Sequence, residues 1–493
     1  MGTPNILLLM TDQQRWDAMG CSGDWVRTPN LDRIASEGVQ FTNCVTTSPV
    51  CIPTRLSLAT GLYPHNTGVW NNMNHTMPEE TPTWMQAVRD AGYRTSLFGK
   101  THLHPHGGDL REREGLMNAY GLDDVDEIGG PRASASTLSH MTAMWEEKGV
   151  WEAYRADYRE RFSTKPYLVR PSPLELEDYA DVYVGQQAKQ YLENYDRQEP
   201  WCCWVSFGGP HEPWDTPEPY ASMYDPETMP SAVPRPPAGE RPRGHLDRMM
   251  NRMNPVFEPG EIGRLRANYA GNVTLIDDQI GEILEAIEAR GELDNTVIVH
   301  TSDHGEMNGD YGLIYKSNFL NGAVRIPLIV RTPKVSGLQT PPTGRTPKAS
   351  GLQTPPTGRT PKASGLQTPP TGSLCDSPVE WIDIGPTLVE LAGGELQHRQ
   401  FGKSLCPTLT QPELGHRDFA ISEIQGEIML LNREWKAALN TDGEIYLLFD
   451  VQNDPNETNN LAGKPEVADI ETALRLQILE RLVQTQLNKP FRQ

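Results

Sequence analysis

Cysteines, basic residues and long apolar runs are all scarce in this 493-residue chain. The seven cysteines are an odd number with no Cys-x-x-Cys pair, which argues against a disulfide framework and favours a reducing compartment. The 44 basic and 65 acidic residues give a net charge of −21, which argues against nonspecific binding to nucleic acid or to an anionic membrane. We therefore expect neither as a partner.

The first apolar run, residues 6–10, is too short for a membrane span or a secretory signal, and no basic residue precedes it. We therefore interpret it as the first β-strand and expect a cytoplasmic protein. The length of the chain favours one large domain with a smaller one beside it.

Alternating strands and helices predict an α/β fold with a large mixed, mostly parallel sheet sandwiched by helices. The predicted strands are 6–10, 39–45, 93–98, 201–207, 296–301 and 326–330. The predicted helices begin at Pro29, Pro53 and Pro82 or cover 272–290 and 381–391, while residues 105–195 are expected to be helices and loops at the sheet edge.

The last part of the chain predicts a smaller antiparallel sheet with a closing helix. Short strands at 419–424, 428–431, 435–439 and 445–449 follow one another with turn residues between them, and 467–483 is amphipathic. We expect a catalytic domain at 1–407 and a C-terminal subdomain at 408–493.

One 14-residue unit, RTPKxSGLQTPPTG, is written three times between residues 331 and 372. A segment so rich in Pro, Gly and Thr buries little apolar surface, so we expect a flexible insertion in a surface loop. A patch of basic residues that binds anions is the alternative.

The segment 48–61 places Cys51, Pro53 and Arg55 at fixed spacing before Gly61. Pro53 suits the first turn of a helix that Gly61 ends, so Cys51 would lie just before the helix N-terminus. An anion would be favoured there by the backbone N–H groups and by the guanidinium of Arg55. The alternative is a buried thiol in front of an ordinary helix.

Chemically active side chains also follow four of the predicted strands. Because ligands bind at the carboxyl ends of strands in open α/β sheets, we expect these loops to meet Cys51 in one crevice. The residues are Asp12, Gln13, Lys100, His102, His211, Asp303, His304 and Lys316.

The composition of this set indicates two roles. Two carboxylates, an amide oxygen and a histidine suit a hard divalent cation such as calcium or magnesium, and the nitrogen ligand leaves manganese open. The lysines, histidines and Arg55 suit a tetrahedral anion, which points to ester cleavage at sulfur or phosphorus.

The spacing Cys51-x-Pro53-x-Arg55 with Thr60-Gly61 resembles the type I sulfatases of the alkaline phosphatase superfamily. The resemblance covers nearly the whole chain except the repeat. The other segments that carry it are Pro29-Asn30-Leu31-Asp32, Gly99-Lys100-Thr101-His102, Pro210-His211, Asp303-His304-Gly305-Glu306 and Asp454 to Leu461.

The resemblance implies an alkaline-phosphatase-like fold and hydrolysis of a sulfate monoester. It implies that a formylglycine-generating enzyme oxidises Cys51 to formylglycine, whose hydrate attacks sulfur to form a covalent sulfo-enzyme. It further implies that Asp12, Gln13, Asp303 and His304 bind one divalent cation, most often calcium, together with residue 51.

The remaining roles also follow from the resemblance. His211, with Lys316 nearby, would protonate the leaving oxygen, and His102 would take the proton that allows sulfate to leave. Arg55 and Lys100 would hold the nucleophile and neutralise charge. The substrate expected is a small aryl, sugar, alkyl or choline sulfate, and a homo-oligomer is left open.

Two departures from the family pattern bear on this assignment. Thr54 stands where the family most often has Ser, and because Thr keeps the hydroxyl group, modification of Cys51 is expected to occur but to be less complete. Asp12-Gln13 replaces the usual Asp-Asp pair, as in the related phosphonate monoester hydrolases, so a phosphonate monoester or phosphodiester hydrolase is the alternative function. Those relatives lack the pair Lys100 and His102, which favours sulfate esters.

Further positions are weaker candidates. Asn72 stands where the phosphonate monoester hydrolases have an Asn that contacts substrate. We also expect a pocket for the leaving group near Asn74, His75, His104 and His106. A non-catalytic protein that binds sulfated ligands is a remote alternative, because it predicts a degraded site and none of the main positions is missing.

Overall fold

The first strand, Asn5–Asp12, is buried on both faces in the middle of the largest sheet of the computed structural model. Ile6 and Leu8 pack into one apolar cluster, whereas Leu7 and Leu9 pack into another on the opposite face. A continuous apolar run is typical of a parallel strand covered by helices on both sides. The structure describes residues 3–165, 167–235, 246, 249, 256–333 and 372–487.

Strands and helices alternate along most of the described part of the chain. The strands are β1 (Asn5–Asp12), β2 (Val39–Phe41), β3 (Cys44–Val45), β4 (Arg94–Gly99), β5 (Asp124–Glu127), β6 (Trp201–Pro210), β7 (Thr296–Ser302), β8 (Arg325–Ile326), β9 (Leu328–Arg331), β10 (Ser373–Cys375), β11 (Val379–Glu380), β12 (Phe419–Ile424), β13 (Glu427–Asn432), β14 (Trp435–Leu439) and β15 (Ile445–Asp450). The α-helices are α1 (Pro29–Ser36), α2 (Cys51–Thr60), α3 (Pro64–Thr67), α4 (Trp84–Asp90), α5 (Glu114–Ala119), α6 (Gly130–Ala133), α7 (His140–Glu147), α8 (Trp151–Thr164), α9 (Ala180–Glu193), α10 (Glu261–Ala289), α11 (Asn321–Val324), α12 (Ile384–Leu391), α13 (Cys406–Thr410) and α14 (Ala468–Gln484).

The large sheet has eight strands in the order β10-β2-β9-β7-β1-β6-β4-β5. Its strands pair in parallel except for β9, which is antiparallel to both of its neighbours. Helices α2, α4 and α12 cover one face, and α1, α9 and α10 cover the other. The predicted α/β fold with a mostly parallel sheet between helices is confirmed.

The last four strands, β12 to β15, form a separate antiparallel sheet in sequence order, and α14 packs against it through Leu474 and Ile478. This confirms the smaller antiparallel sheet with a closing helix. Among the described residues, no helix is both long and apolar enough to cross a membrane.

Two predicted strands are in fact four. The stretch 39–45 divides into β2, which joins the large sheet, and β3, which joins a three-stranded sheet in the order β11-β3-β8. The stretch 326–330 divides into β8 and β9 at Pro327, because proline has no N–H to offer a neighbouring strand.

Three edge strands, β5, β10 and β11, and the start of one helix were not predicted. β5 has the sequence Asp-Val-Asp-Glu, which resembles a loop but pairs in parallel with β4. Helix α10 begins at Glu261 rather than at residue 272. Its first turns were not predicted because polar side chains such as Arg266 occupy the buried face of the helix. Arg266 pairs there with Asp310 at 2.7 Å.

Three smaller differences concern helix starts and the repeat. Helix α4 begins at Trp84 with Thr83 as its N-cap, not at Pro82, and a short 3₁₀ turn at Trp381–Asp383 precedes α12. The predicted flexible insertion at 331–372 lies outside the described residues except for 331–333 and 372.

Candidate active site

The carboxyl ends of four neighbouring strands carry the predicted site residues. Asp12 ends β1, Lys100 follows β4, His211 follows β6 and Asp303 follows β7. Because β7, β1, β6 and β4 are adjacent and parallel, these side chains lie at one edge of the sheet. Helix α2 brings Cys51 to the same place.

Cys51 is the first residue of α2 and not the residue before it. Pro53 is therefore the third helical residue, where its missing N–H costs nothing because the first N–H groups of a helix have no partner within it. Gly61 ends the helix in the left-handed conformation, with φ of 70°. Every residue of α2 is buried, so this helix is a rigid support for Cys51.

A buried cluster of possible metal ligands is formed by Asp12, Cys51, Asp303 and His304, whose ligand atoms all lie within 4.8 Å of one another. Nε2 of His304 lies 3.0 Å from Sγ of Cys51 and 3.6 Å from Oδ2 of Asp303. Oδ1 of Asp12 is buried and accepts no hydrogen bond from the described residues. An orphaned carboxylate oxygen in a site with two acidic groups fits a divalent cation.

Gln13 is oriented by charged neighbours. Its backbone N–H donates to Oδ1 of Asp303 at 3.0 Å, and its amide oxygen accepts a hydrogen bond from Nζ of Lys316. The amide nitrogen donates to the carboxylates of Glu212, at 2.8 Å, and Glu306. The amide oxygen of Gln13 therefore faces Lys316, and its amide nitrogen faces the two glutamates.

The guanidinium of Arg55 is completely buried between the two acidic groups of the cluster. Nε donates to Oδ2 of Asp303 at 2.8 Å, and Nη2 donates to Oδ2 of Asp12 at 3.3 Å. Nη1 donates to the carbonyl oxygen of Lys100 at 2.7 Å, and Nζ of Lys100 itself donates to Asp12. The positive groups thus hold the acidic groups in place.

The thiol of Cys51 differs from every other thiol in the protein. Burial alone would raise its pKa, but Lys316, His304 and Lys100 lower it well below the ordinary value. Burial raises the pKa of the other six cysteines, which are Cys21, Cys44, Cys202, Cys203, Cys375 and Cys406. Residue 51 therefore lies in an electropositive site, unlike an inert core thiol.

The two histidines nearest to Cys51 on other loops differ in environment. Burial, Lys100 and His106 lower the pKa of His102 well below its ordinary value, although Cys51 opposes this shift. His102 is therefore a neutral imidazole in this site. Nδ1 of His211 lies 2.8 Å from the carbonyl oxygen of Glu212, so this nitrogen donates and Nε2 is left for a ligand.

Several weaker candidates have other partners. The amide oxygen of Asn72 accepts the N–H of Ile52 at 3.0 Å, so Asn72 supports the start of α2. Asn74 is exposed and His75 is partly exposed. The rings of His104 and His106 are buried against Glu127, at 2.7 and 3.0 Å, so these two side chains belong to a buried cluster.

Four charged residues near the site have no role predicted from the sequence: Glu127, Arg132, Glu212 and Glu306. Glu212 directly follows His211, and Glu306 lies two residues after His304. Their closeness in sequence to predicted site residues is a signal by which these two glutamates could have been predicted. Arg132 pairs with Glu212. Glu127 had no such signal, because the acidic strand that carries it resembles a loop.

Comparison with known proteins identifies the fold and the family. The sulfatase family profile matches residues 4–341, which is more than half of the chain. The chain belongs to the sulfatase family. Sulfate ester hydrolysis is therefore the reaction class of this enzyme.

Individual relatives extend over most of this sulfatase. An arylsulfatase of Clostridium perfringens is 26% identical and is matched over 97% of this chain and 94% of its own length. A choline-sulfatase of Rhizobium meliloti is 28% identical, with 94% and 83% covered. The solved structure of a phosphonate monoester hydrolase of Agrobacterium radiobacter shares the fold, with a TM-score of 0.76 at 23% identity and coverage of 98% and 96%.

Proposed function

We propose that this sulfatase cleaves a sulfate monoester to an alcohol and inorganic sulfate with a formylglycine formed from Cys51. The observation that carries the proposal is the environment of that residue. Cys51 is the one cysteine whose pKa is lowered, and it lies in a buried ligand cluster beside two lysines. A modifying enzyme that converts Cys51 is the partner that this proposal requires.

The same proposal assigns one divalent cation to Asp12, Gln13, residue 51, Asp303 and His304. Calcium is the first choice because most of these ligands offer oxygen, with manganese or magnesium as alternatives. When present, the cation and the hydrated formylglycine supply Lewis acidity and a nucleophilic oxygen. Arg55, which belongs to α2, pairs with the carboxylates of Asp12 and Asp303 and so fixes their positions relative to this helix.

His211 is assigned as the proton donor to the leaving oxygen. Its Nδ1 is occupied by the carbonyl oxygen of Glu212, which directs Nε2 toward the substrate. Lys316 lies in the same buried group and, although burial alone would lower its pKa, Cys51, Glu212 and Asp12 raise it. Lys316 therefore remains cationic and, together with Lys100, binds the sulfate oxygens, and Asn72 steadies the start of α2 beside them.

His102 is assigned as the base of the second half of the reaction. A neutral imidazole is needed to accept a proton from the hydroxyl group on residue 51 so that sulfate leaves. The lowered pKa of His102 and its electrostatic interaction with Cys51 support this role.

The substrate that we propose is a small aryl, alkyl, choline or sugar sulfate. The names of the relatives from Clostridium perfringens and Rhizobium meliloti support the aryl and choline esters. All seven cysteines are free thiols, which supports a cytoplasmic location and hence a small imported ester.

A phosphonate monoester or phosphodiester is the second candidate substrate, and the pair Asp12-Gln13 favours it. Gln13 removes one negative charge from the site. Lys100 and His102 favour the sulfate ester instead. A non-catalytic ligand-binding protein remains as the third candidate, and turnover of any ester excludes it.

The deciding experiment compares esters on enzyme from a host that modifies Cys51. Nitrophenyl sulfate, choline sulfate and a sugar sulfate are assayed against a phenylphosphonate monoester and a phosphodiester, with the intact mass of the Cys51 peptide as the measure of modification. We expect the highest kcat/KM with a sulfate monoester and a peptide that has lost hydrogen sulfide and gained oxygen. A higher kcat/KM with a phosphorus ester, or activity with an unmodified thiol, contradicts the proposal.

His211→Ala is expected to slow poor leaving groups more than good ones. General acid catalysis contributes about 10²-fold or more where the leaving alcohol is weakly acidic, and little where it is strongly acidic. The measurement is kcat/KM across a series of aryl and alkyl sulfates, with the exposed His140→Ala as the control. Equal losses across the series would show that His211 is not the proton donor.

A further inference from the structure

Glu127 ends β5, the edge strand next to β4, and its buried carboxylate is bound by the loop that follows β4. Oε2 lies 2.7 Å from Nε2 of His104. Oε1 lies 3.0 Å from Nε2 of His106 and accepts a hydrogen bond from the hydroxyl group of Thr101. Burial alone would raise the pKa of Glu127, but His106 and His104 lower it, so this carboxylate is a buried negative charge.

His106 connects Glu127 with His102. Nε2 of the His106 ring lies 3.0 Å from Oε1 of Glu127, and Nδ1 lies 3.2 Å from the carbonyl oxygen of Gly129. The ring centroids of His106 and His102 are 4.3 Å apart. The backbone nitrogen of His102 also lies 3.2 Å from Nε2 of His106. His102 thus packs against a ring that Glu127 and Gly129 contact.

His102 needs such support because its backbone is strained. Its φ of 61° lies in the left-handed region, which is unfavourable for a residue with a side chain and persists only where the surrounding structure imposes it. Nδ1 of His102 is buried and has no hydrogen-bond partner among the described residues. The ring is therefore held by its contact with His106.

We propose that Glu127 and His106 are positioning residues that hold the imidazole of His102 against residue 51. The inference rests on the proposed function, in which His102 accepts the proton that allows sulfate to leave. When Glu127 no longer anchors His106, His102 relaxes from its left-handed conformation and moves away from residue 51. Release of the alcohol depends on His211, which lies on the loop after β6, and is therefore expected to be spared.

The test measures the release of alcohol and of sulfate separately by rapid quench on fully modified enzyme. The variants are Glu127→Gln, which keeps the size of the side chain but cannot accept from both histidines, and His106→Ala. His102→Ala is the reference, and Glu114→Gln is the matched control because Glu114 forms an exposed pair with His140 at 3.1 Å. We expect a burst of alcohol in both variants, with steady sulfate release slower by up to about 10²-fold.

A second readout does not depend on turnover. Crystals of unmodified Glu127→Gln are expected to show His102 outside the left-handed region, whereas Glu114→Gln retains φ near 61°. Wild-type rates of sulfate release in Glu127→Gln and His106→Ala, or equal slowing of both products, would overturn the positioning role. If His102→Ala also fails to slow sulfate release, the assignment of His102 as base is wrong. If His102→Ala slows sulfate release and Glu127→Gln does not, only the positioning role of Glu127 fails.

Discussion

Cys51→Ala is expected to abolish turnover of an aryl sulfate, with a loss of about 10⁴-fold or more in kcat, as when a catalytic nucleophile is removed. The alanine side chain cannot be oxidised to an aldehyde, and it cannot ligate a cation. The change removes one buried sulfur at the start of α2, so the fold should persist. The assay is release of nitrophenol, with far-ultraviolet circular dichroism as the check on folding.

Cys21→Ala is the matched control for this experiment. Cys21 is a free thiol outside the site, and burial raises its pKa to about 12. Its removal is expected to leave kcat unchanged. Retention of more than a small fraction of activity in Cys51→Ala would mean that another group carries the reaction.

Arg55→Ala is expected to have the largest effect on stability. Arg55 separates the buried carboxylates of Asp12 and Asp303, and its removal leaves Asp303 without its arginine partner and Asp12 with Lys100 alone. Removing one member of a buried ion pair costs about 3–5 kcal/mol. The measurement is the free energy of unfolding in urea on chelator-treated protein, so that no cation replaces the missing charge.

Arg33→Ala is the control, because Arg33 is an exposed arginine that also pairs with two acidic residues. Its loss is expected to change the free energy of unfolding by less than about 1 kcal/mol. Arg55→Lys keeps the charge but lacks the planar fork that reaches both carboxylates, so an intermediate loss is expected. Similar values for Arg55→Ala and Arg33→Ala would show that the buried network contributes little to stability.

Several features of the structure could not be predicted from local pattern. The acidic strand β5 has no apolar alternation, because it lies at the edge of the sheet and its partly exposed side chains need not be apolar. The start of α10 was missed because its buried face carries Arg266, whose charge is neutralised by Asp310 at a distance of 44 residues in sequence. The hydrogen bond from the N–H of Ile52 to the amide oxygen of Asn72 also has no local signal, whereas contact of Asn72 with substrate stays a prediction.

The sequence by itself determined the α/β order of elements, the helix that Gly61 ends and the reactive residue types placed after four strands. These are local properties, set by apolar periodicity and by the conformations that proline and glycine allow. Only the tertiary structure decided that Cys51 is a reactive thiol and not an inert one. Its pKa is set by Lys316 and His304, more than 250 residues away, and that electrostatic field exists only once the strands have paired.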